Sequence, residues 1–153
     1  MLSHKNLHDV IRLTPIASID ILCIHKNNVL LGKRQNNPAK DTLFNPGSKI
    51  FKLETIPQAI RRVVKNEIGL SITDMKRFRF LTATDHIYHN NFLDDSFKTH
   101  YISLSYVIHL TDDEITLIQS DDQHDSLQWF DIKSTIQHPL LHPYCKQFLE
   151  QII

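Results

Sequence analysis

Between Thr55 and Gly69 the chain has room for little except one amphipathic helix sealed at both ends. Thr55 is a good N-cap, and Gln58 three residues on completes a capping box that satisfies two otherwise orphaned backbone N–H groups. Pro57 falls in the first turn, where a missing N–H does no harm. Gly69 stands where a left-handed residue is expected to end the helix. Ile56, Ile60, Val63 and Val64 then form one apolar stripe at helical spacing. The chain has only three glycines, and Gly47 and Gly69 frame this run. Ahead of the helix, Gly47-Ser48-Lys49-Ile50-Phe51-Lys52-Leu53-Glu54 reads as a glycine loop. A loop feeding a helix that carries acid and base at fixed intervals suits a metal-bound diphosphate, which needs close backbone approach and a carboxylate aimed at the cation. Glu67 lies at the end of the apolar stripe. It either bends out to solvent or is paired there by a divalent cation.

Composition sets limits on the rest. At 153 residues the chain reads as one domain, residues 1–153, large enough for a real core. Lys plus Arg and Asp plus Glu balance at 17 each, so no basic surface argues for a nucleic-acid partner. Cys23 and Cys145 are the only cysteines, which fits reduced thiols better than a disulfide scaffold. No run approaches the ~18 apolar residues of a membrane span, and the N-terminus lacks a signal-peptide core. These features predict a soluble, cytoplasmic protein with no membrane partner.

The remaining pattern is α/β. Lys5–Leu13 reads as a short amphipathic helix stopped by Thr14-Pro15. Residues 16–24 and 28–34 read as strands around an Asn27-Asn28 turn, and 77–84, 99–110 and 127–130 as further strands. His142–Ile153 reads as a closing helix, and Asp85–Lys98 as a polar loop long enough for a substrate role. Strands alternating with two principal helices predict a mixed sheet covered on both faces.

Counted from Ser48, the residues Glu54, Arg62, Glu67, Gly69 and Leu70 fall on a pattern that resembles the Nudix box, a loop–helix–loop metal site. Ser48 stands for the box glycine, and Val63 and Asn66 replace two of three clustered glutamates. A box that keeps only the last glutamate is similar to the GDP-mannose mannosyl hydrolase branch of that family. Other segments resemble the same branch: Thr14 to Asp20, Leu30 to Arg34, Asn37-Pro38-Ala39, Phe44-x-Pro46-Gly47, Asn91-Phe92, Thr99-His100-Tyr101, and Asp122-Gln123-His124-Asp125 followed by Trp129. The resemblance implies a Nudix α/β/α sandwich, a homodimer, and a GDP-sugar substrate. It also implies water attack on the anomeric carbon with inversion, which releases GDP.

By the same resemblance, the Gly47 carbonyl, the Glu67 carboxylate and the Gln123 side chain hold one Mg²⁺, with Mn²⁺ as a substitute. All three donors are oxygens, as a hard cation requires. His124 is the implied general base; an imidazole with an ordinary pKa near ~6.5 is neutral and ready near neutral pH. Arg34 and Lys49 face the diphosphate, and Tyr101 hydrogen-bonds the leaving group. Leu2, Leu7, Asp20 and His86 line the substrate site, while Glu54 and Arg62 form an organising ion pair. Ser48 is expected to strain the loop if its φ is positive, and Lys49 lacks the planar fork of the branch's arginine. Two other classes stay open: a Nudix pyrophosphatase cutting between phosphates, and a non-catalytic nucleotide-sugar binding module. His138 and His142, four apart, are a weak zinc signal because Pro139 follows His138 and no third acid lies near.

Overall fold

A computed structural model describes residues 2–91, 93, 95–118 and 127–153. Helix α1 (His4–Leu13) opens on Ser3, whose hydroxyl accepts from the Asn6 N–H. Strands β1 (Ile16–His25) and β2 (Asn28–Lys33) follow as an antiparallel hairpin. His25 pairs with Asn28, so the turn is Lys26-Asn27, one residue earlier than the expected Asn27-Asn28. Lys26 adopts the left-handed φ of 53° that such a tight connection demands.

Residues 47–49, expected as a glycine loop, are strand. Short β3 (Leu43–Phe44) pairs with β2, and β4 (Gly47–Lys49) pairs with β1. The segment 43–49 therefore bridges from one strand of the hairpin to the other. Helix α2 (Ile56–Ile68) then runs as the caps require: Thr55 and Gln58 close the capping box, and Gly69 ends it at φ 78°. Next come β5 (Arg79–Tyr88), β6 (Thr99–His109), α3 (Asp112–Leu117), β7 (Leu127–Asp131), α4 (Ile132–Thr135) and α5 (Pro143–Glu150). Strand β5 reaches Tyr88, four residues beyond its expected end, so the first four residues of the presumed polar loop are sheet. Helix α3 was not anticipated, although Thr111 and Glu114 form a second capping box.

The main path of the sheet is β3-β2-β1-β6-β5, with β4 on β1 and β7 on β2. Strands β1 and β6 are parallel and the other pairs antiparallel, so the sheet is mixed as expected. Alternation along β1 sends Ile19, Ile21 and Cys23 to one face and Leu22 and Ile24 to the other. The first face meets Ala59, Ile60, Val63, Val64 and Ile68 of α2. The second meets Ile132 of α4 and Cys145, Phe148 and Leu149 of α5. Each such buried aliphatic contributes about 1.5–3 kcal/mol before the entropy of folding is set against it. Ile56, counted in the stripe, is 40% exposed because it opens the helix beyond the edge of the core. The two cysteines are buried on opposite faces and are free thiols, each pushed up to about 12 by burial. Among the described residues no helix is long and apolar enough to cross a membrane.

Candidate active site

The bridging segment 43–49 brings the site together. Gly47 lies opposite Asp20 across the β1–β4 pair. A Cβ on Gly47 would fall 2.5 Å from Asp20 Oδ1 and 2.8 Å from the Ile19 carbonyl oxygen. Glycine is demanded here by the Asp20 carboxylate, not by a turn. Ser48 is not among the residues with positive φ and pairs with Ile19 in the strand, so the expected strain does not arise.

Asp20 is buried in a polar cradle. Ser103 Oγ donates to its Oδ2 at 2.5 Å, and Asn45 Nδ2 donates to its Oδ1 at 3.1 Å. Burial pushes the carboxyl up from 3.8 to about 6, with Ser103, Asn45 and the charge of Arg34 pulling the other way. Asp20, Arg34, Lys49, His86, Tyr88 and Tyr101 line a cavity of ≈ 270 Å³, closed on one side by Leu7 and Ile11 of α1. A second cavity of ≈ 340 Å³ is lined by Arg34, Asn45, Gly47 and Glu67. The two share Arg34, Asn36, Phe44 and Gly47, which makes one groove with two ends.

The inner end is aromatic. His86 is buried, stacks on Tyr144 at 4.1 Å with 2° between the rings, and lies near Phe148 and Phe44. Burial first, then nearby His142, pushes the His86 imidazole down to about 4, so it is neutral. His142 is likewise pushed down to about 4, by burial and then by Arg34. Tyr88 and Tyr101 meet edge to face at 6.2 Å, and burial raises both phenols above the ordinary range.

The loop–helix run carries Lys49 to the inner cavity and Glu67 to the outer one. Arg62 grips Glu54 through two bonds, Nε to Oε1 at 2.7 Å and Nη2 to Oε2 at 2.8 Å, and Nη2 also donates to the Lys49 carbonyl at 2.8 Å. Glu54 Oε2 accepts from the Phe51 N–H, and the guanidinium covers the Phe51 ring at 4.0 Å. Arg62 holds the Glu54 carboxyl below its usual range. This pair fixes the residues between β4 and α2, the organising role expected of it. Arg34 donates Nε to the Pro38 carbonyl at 2.8 Å and lies over Phe44 at 5.8 Å.

The oxygens here suit a divalent cation. Gly47 and Glu67 border one cavity, and Asn45 beside them keeps Oδ1 as a buried acceptor without a partner. Among the described residues no three His, Cys, Asp or Glu side chains converge, so a cation would rely on backbone and amide oxygens as well. Gln123, His124 and Asp125 lie outside the described residues. Leu7 is in the groove, but Leu2 is 48% exposed and lines neither end, because it precedes the Ser3 cap of the helix that carries Leu7 and Ile11 inward. Tyr88, Asn45, Ser103 and Tyr144 were missed, and His142, named only as half of a weak zinc pair, caps α5 beside the aromatic end. Tyr88 follows His86 by two on one strand and shares its face, a signal hidden by ending that strand too early.

The NUDIX domain profile matches residues 14–152. The chain belongs to the Nudix family. A low-salt glycan biosynthesis protein of Haloferax volcanii, Agl8, is 32% identical over 138 residues, covering 90% of this chain and 82% of its own. An ADP-ribose pyrophosphatase of Methanocaldococcus jannaschii is 38% identical over 58 residues, but covers only 38% of this chain and 34% of its own. A MutT Nudix hydrolase from Burkholderia pseudomallei superposes with a TM-score of 0.68 at 23% identity, covering 92% of this chain and 99% of that one. The Nudix domain of Shewanella oneidensis NrtR, in complex with ADP ribose, gives 0.63 at 16% identity, covering 99% and 97%. At these identities the structural likeness is one of fold: the Nudix α/β/α sandwich. Nudix membership makes the chain a member of a hydrolase family whose enzymes use divalent cations such as Mg²⁺.

Proposed function

We propose that this Nudix protein hydrolyses GDP-mannose, or a related GDP-hexose, to GDP and free sugar by inverting water attack at the anomeric carbon. The observation that carries this reading is the joined groove. A buried end with Asp20, His86, Tyr88 and Tyr101 meets an oxygen-rich end with Glu67 at Arg34 and Gly47. Glu67 is the one carboxylate on α2, and Val63, at a box glutamate position, is 1% exposed in the core. A helix with a single carboxylate fits one cation, not the several that phosphorus attack draws on in the family's fuller boxes.

Gly47 and Glu67, with Gln123 from the segment beyond the described residues, would hold Mg²⁺, which when bound neutralises a departing diphosphate. Arg34 offers its remaining guanidinium N–H groups to the phosphates, and Lys49 adds a second positive charge. Tyr101, at the start of β6, donates to the leaving group. Asp20 and the neutral His86 hold the sugar hydroxyls, while Leu7 packs at the mouth. His124 takes the proton from water on the face opposite the departing oxygen, as inversion requires. The active unit is residues 1–153 as one domain, paired as a homodimer, the state the resemblance implies.

A second reading is pyrophosphate cleavage, favoured by the similarity to a protein named ADP-ribose pyrophosphatase. One experiment separates the two. Incubation with Mg²⁺ and GDP-mannose, GDP-glucose or ADP-ribose is followed by phosphorus and proton NMR. GDP plus α/β-resolved free sugar supports glycosyl cleavage. GMP or AMP plus a sugar phosphate replaces it with the second reading, and Mg²⁺-dependent binding without products leaves a binding module.

A further inference from the structure

We infer that Tyr144, on the closing helix α5, is a positioning residue that pins His86 at the sugar end of the groove; this rests on the function proposed above. Strand β5 is an edge strand, so part of its backbone has no neighbouring strand to meet. At Ile87, next to His86, that gap is closed by one side chain. The Tyr144 hydroxyl accepts from the Ile87 N–H at 2.9 Å and donates to the Ile87 carbonyl at 3.1 Å. The same side chain lays its ring flat on the imidazole, 4.1 Å away and 2° from parallel. Backbone and ring of the His86–Ile87 pair are thus held from one point.

Tyr144 is itself anchored. Its N–H donates to Nδ1 of His142, the cap of α5, at 3.2 Å. The approach to that cap is strapped to β3: the Leu43 N–H donates to the Leu140 carbonyl at 2.8 Å, and the His142 N–H to the Leu43 carbonyl at 3.0 Å. His142 also packs on Phe44 at 5.1 Å, and Phe44 lies under Arg34. Helix α5 is therefore registered against the phosphate end before Tyr144 reaches the sugar end. His86 Nε2 meets Thr84 Oγ1 at 3.2 Å, which leaves Nδ1 as the ring atom for a sugar hydroxyl. A ring free to turn would offer that nitrogen only part of the time.

The test uses the substrate-free protein and then GDP-mannose with Mg²⁺. Tyr144→Phe keeps the stack and removes the hydroxyl: Ile87 amide exchange should quicken about tenfold, with the His86 ring resonances little moved and kcat/KM down about threefold, mostly in KM. Tyr144→Leu removes both: the His86 resonances should shift and broaden, and kcat/KM should fall to the level of His86→Gln. The double variant His86→Gln/Tyr144→Leu should then be no worse than either single change. Unchanged Ile87 exchange in the Phe variant, or additive losses in the double variant, overturns the inference. Should the Leu variant fail to fold, the Phe variant decides through Ile87 exchange. Absence of any turnover by the parent would sink the proposed reaction, while the NMR arms would still decide whether Tyr144 holds His86.

Discussion

The two ends of the groove are held by opposite means. At the outer end, Glu67 and Gly47 border a cavity at the two ends of a loop–helix run that the Glu54–Arg62 pair ties together locally. At the inner end, Asp20, His86 and Tyr101 are set by strand register and by partners far away in sequence, such as Ser103 and Tyr144. The inner end is part of the core, and its groups carry the pKa displacements that burial imposes.

The largest expected effects come from the proposed base and the α2 carboxylate. His124→Gln should lower kcat at least about a hundredfold with substrate affinity kept, and Glu67→Gln should raise the Mg²⁺ concentration needed for half-maximal rate. Both should leave Tm within a few degrees of the parent. A steady-state titration of Mg²⁺ beside a melting curve checks this, and an unchanged rate near neutral pH would remove His124 from the mechanism. Arg62→Ala, by contrast, should destabilise by about 2–3 kcal/mol. It strands a half-buried carboxylate and frees the Lys49 carbonyl at once. Urea unfolding measures it.

The division also explains what could be read from the chain alone. The α2 caps depend on neighbours three residues apart, so Thr55, Gln58 and Gly69 announced themselves. The Glu54–Arg62 pair, eight residues apart, came instead from the resemblance to the Nudix box. The Asp20 cradle needs Ser103, 83 residues on, and the His86 stack needs Tyr144, 58 residues on in the numbering of the chain. Neither pairing leaves a local pattern. The strand at 47–49 was hidden for a related reason: a glycine reads as a turn until the Asp20 carboxylate opposite it is known.

At the inner end the signs of the pH effects differ from residue to residue. Asp20 binds its proton more tightly folded than unfolded, about 6 against 3.8, so ionising it costs stability as pH rises through that window. Asp20→Asn should therefore stabilise by about 1–2 kcal/mol at pH 7.5 while lowering kcat/KM, and the gain should vanish by about pH 4. Denaturation at the two pH values tests it; equal gains at both would show that ionisation is not the cause. His142 runs the other way. Its imidazole is pushed down from 6.5 to about 4, so stability present above pH 6.5 is lost as pH falls toward 4. His142→Gln should flatten that acid slope by about 1 kcal/mol, allowing for partial exposure.

The smallest effect is the sharpest test of what glycine does in this site. If residue 48 needed a left-handed backbone, Ser48→Gly would relieve strain and stabilise. The strand at 47–49 pairs Ser48 with Ile19, and its φ is not positive, so glycine there only adds freedom to the unfolded chain. Ser48→Gly should cost about 0.5–1 kcal/mol and leave Mg²⁺ affinity unchanged. Gly47→Ala should behave quite differently, because its new methyl would meet Asp20 Oδ1. Having both substitutions lose stability by the same small amount would mean that β4 does not press on Asp20, and that the two ends of the groove are not joined through it.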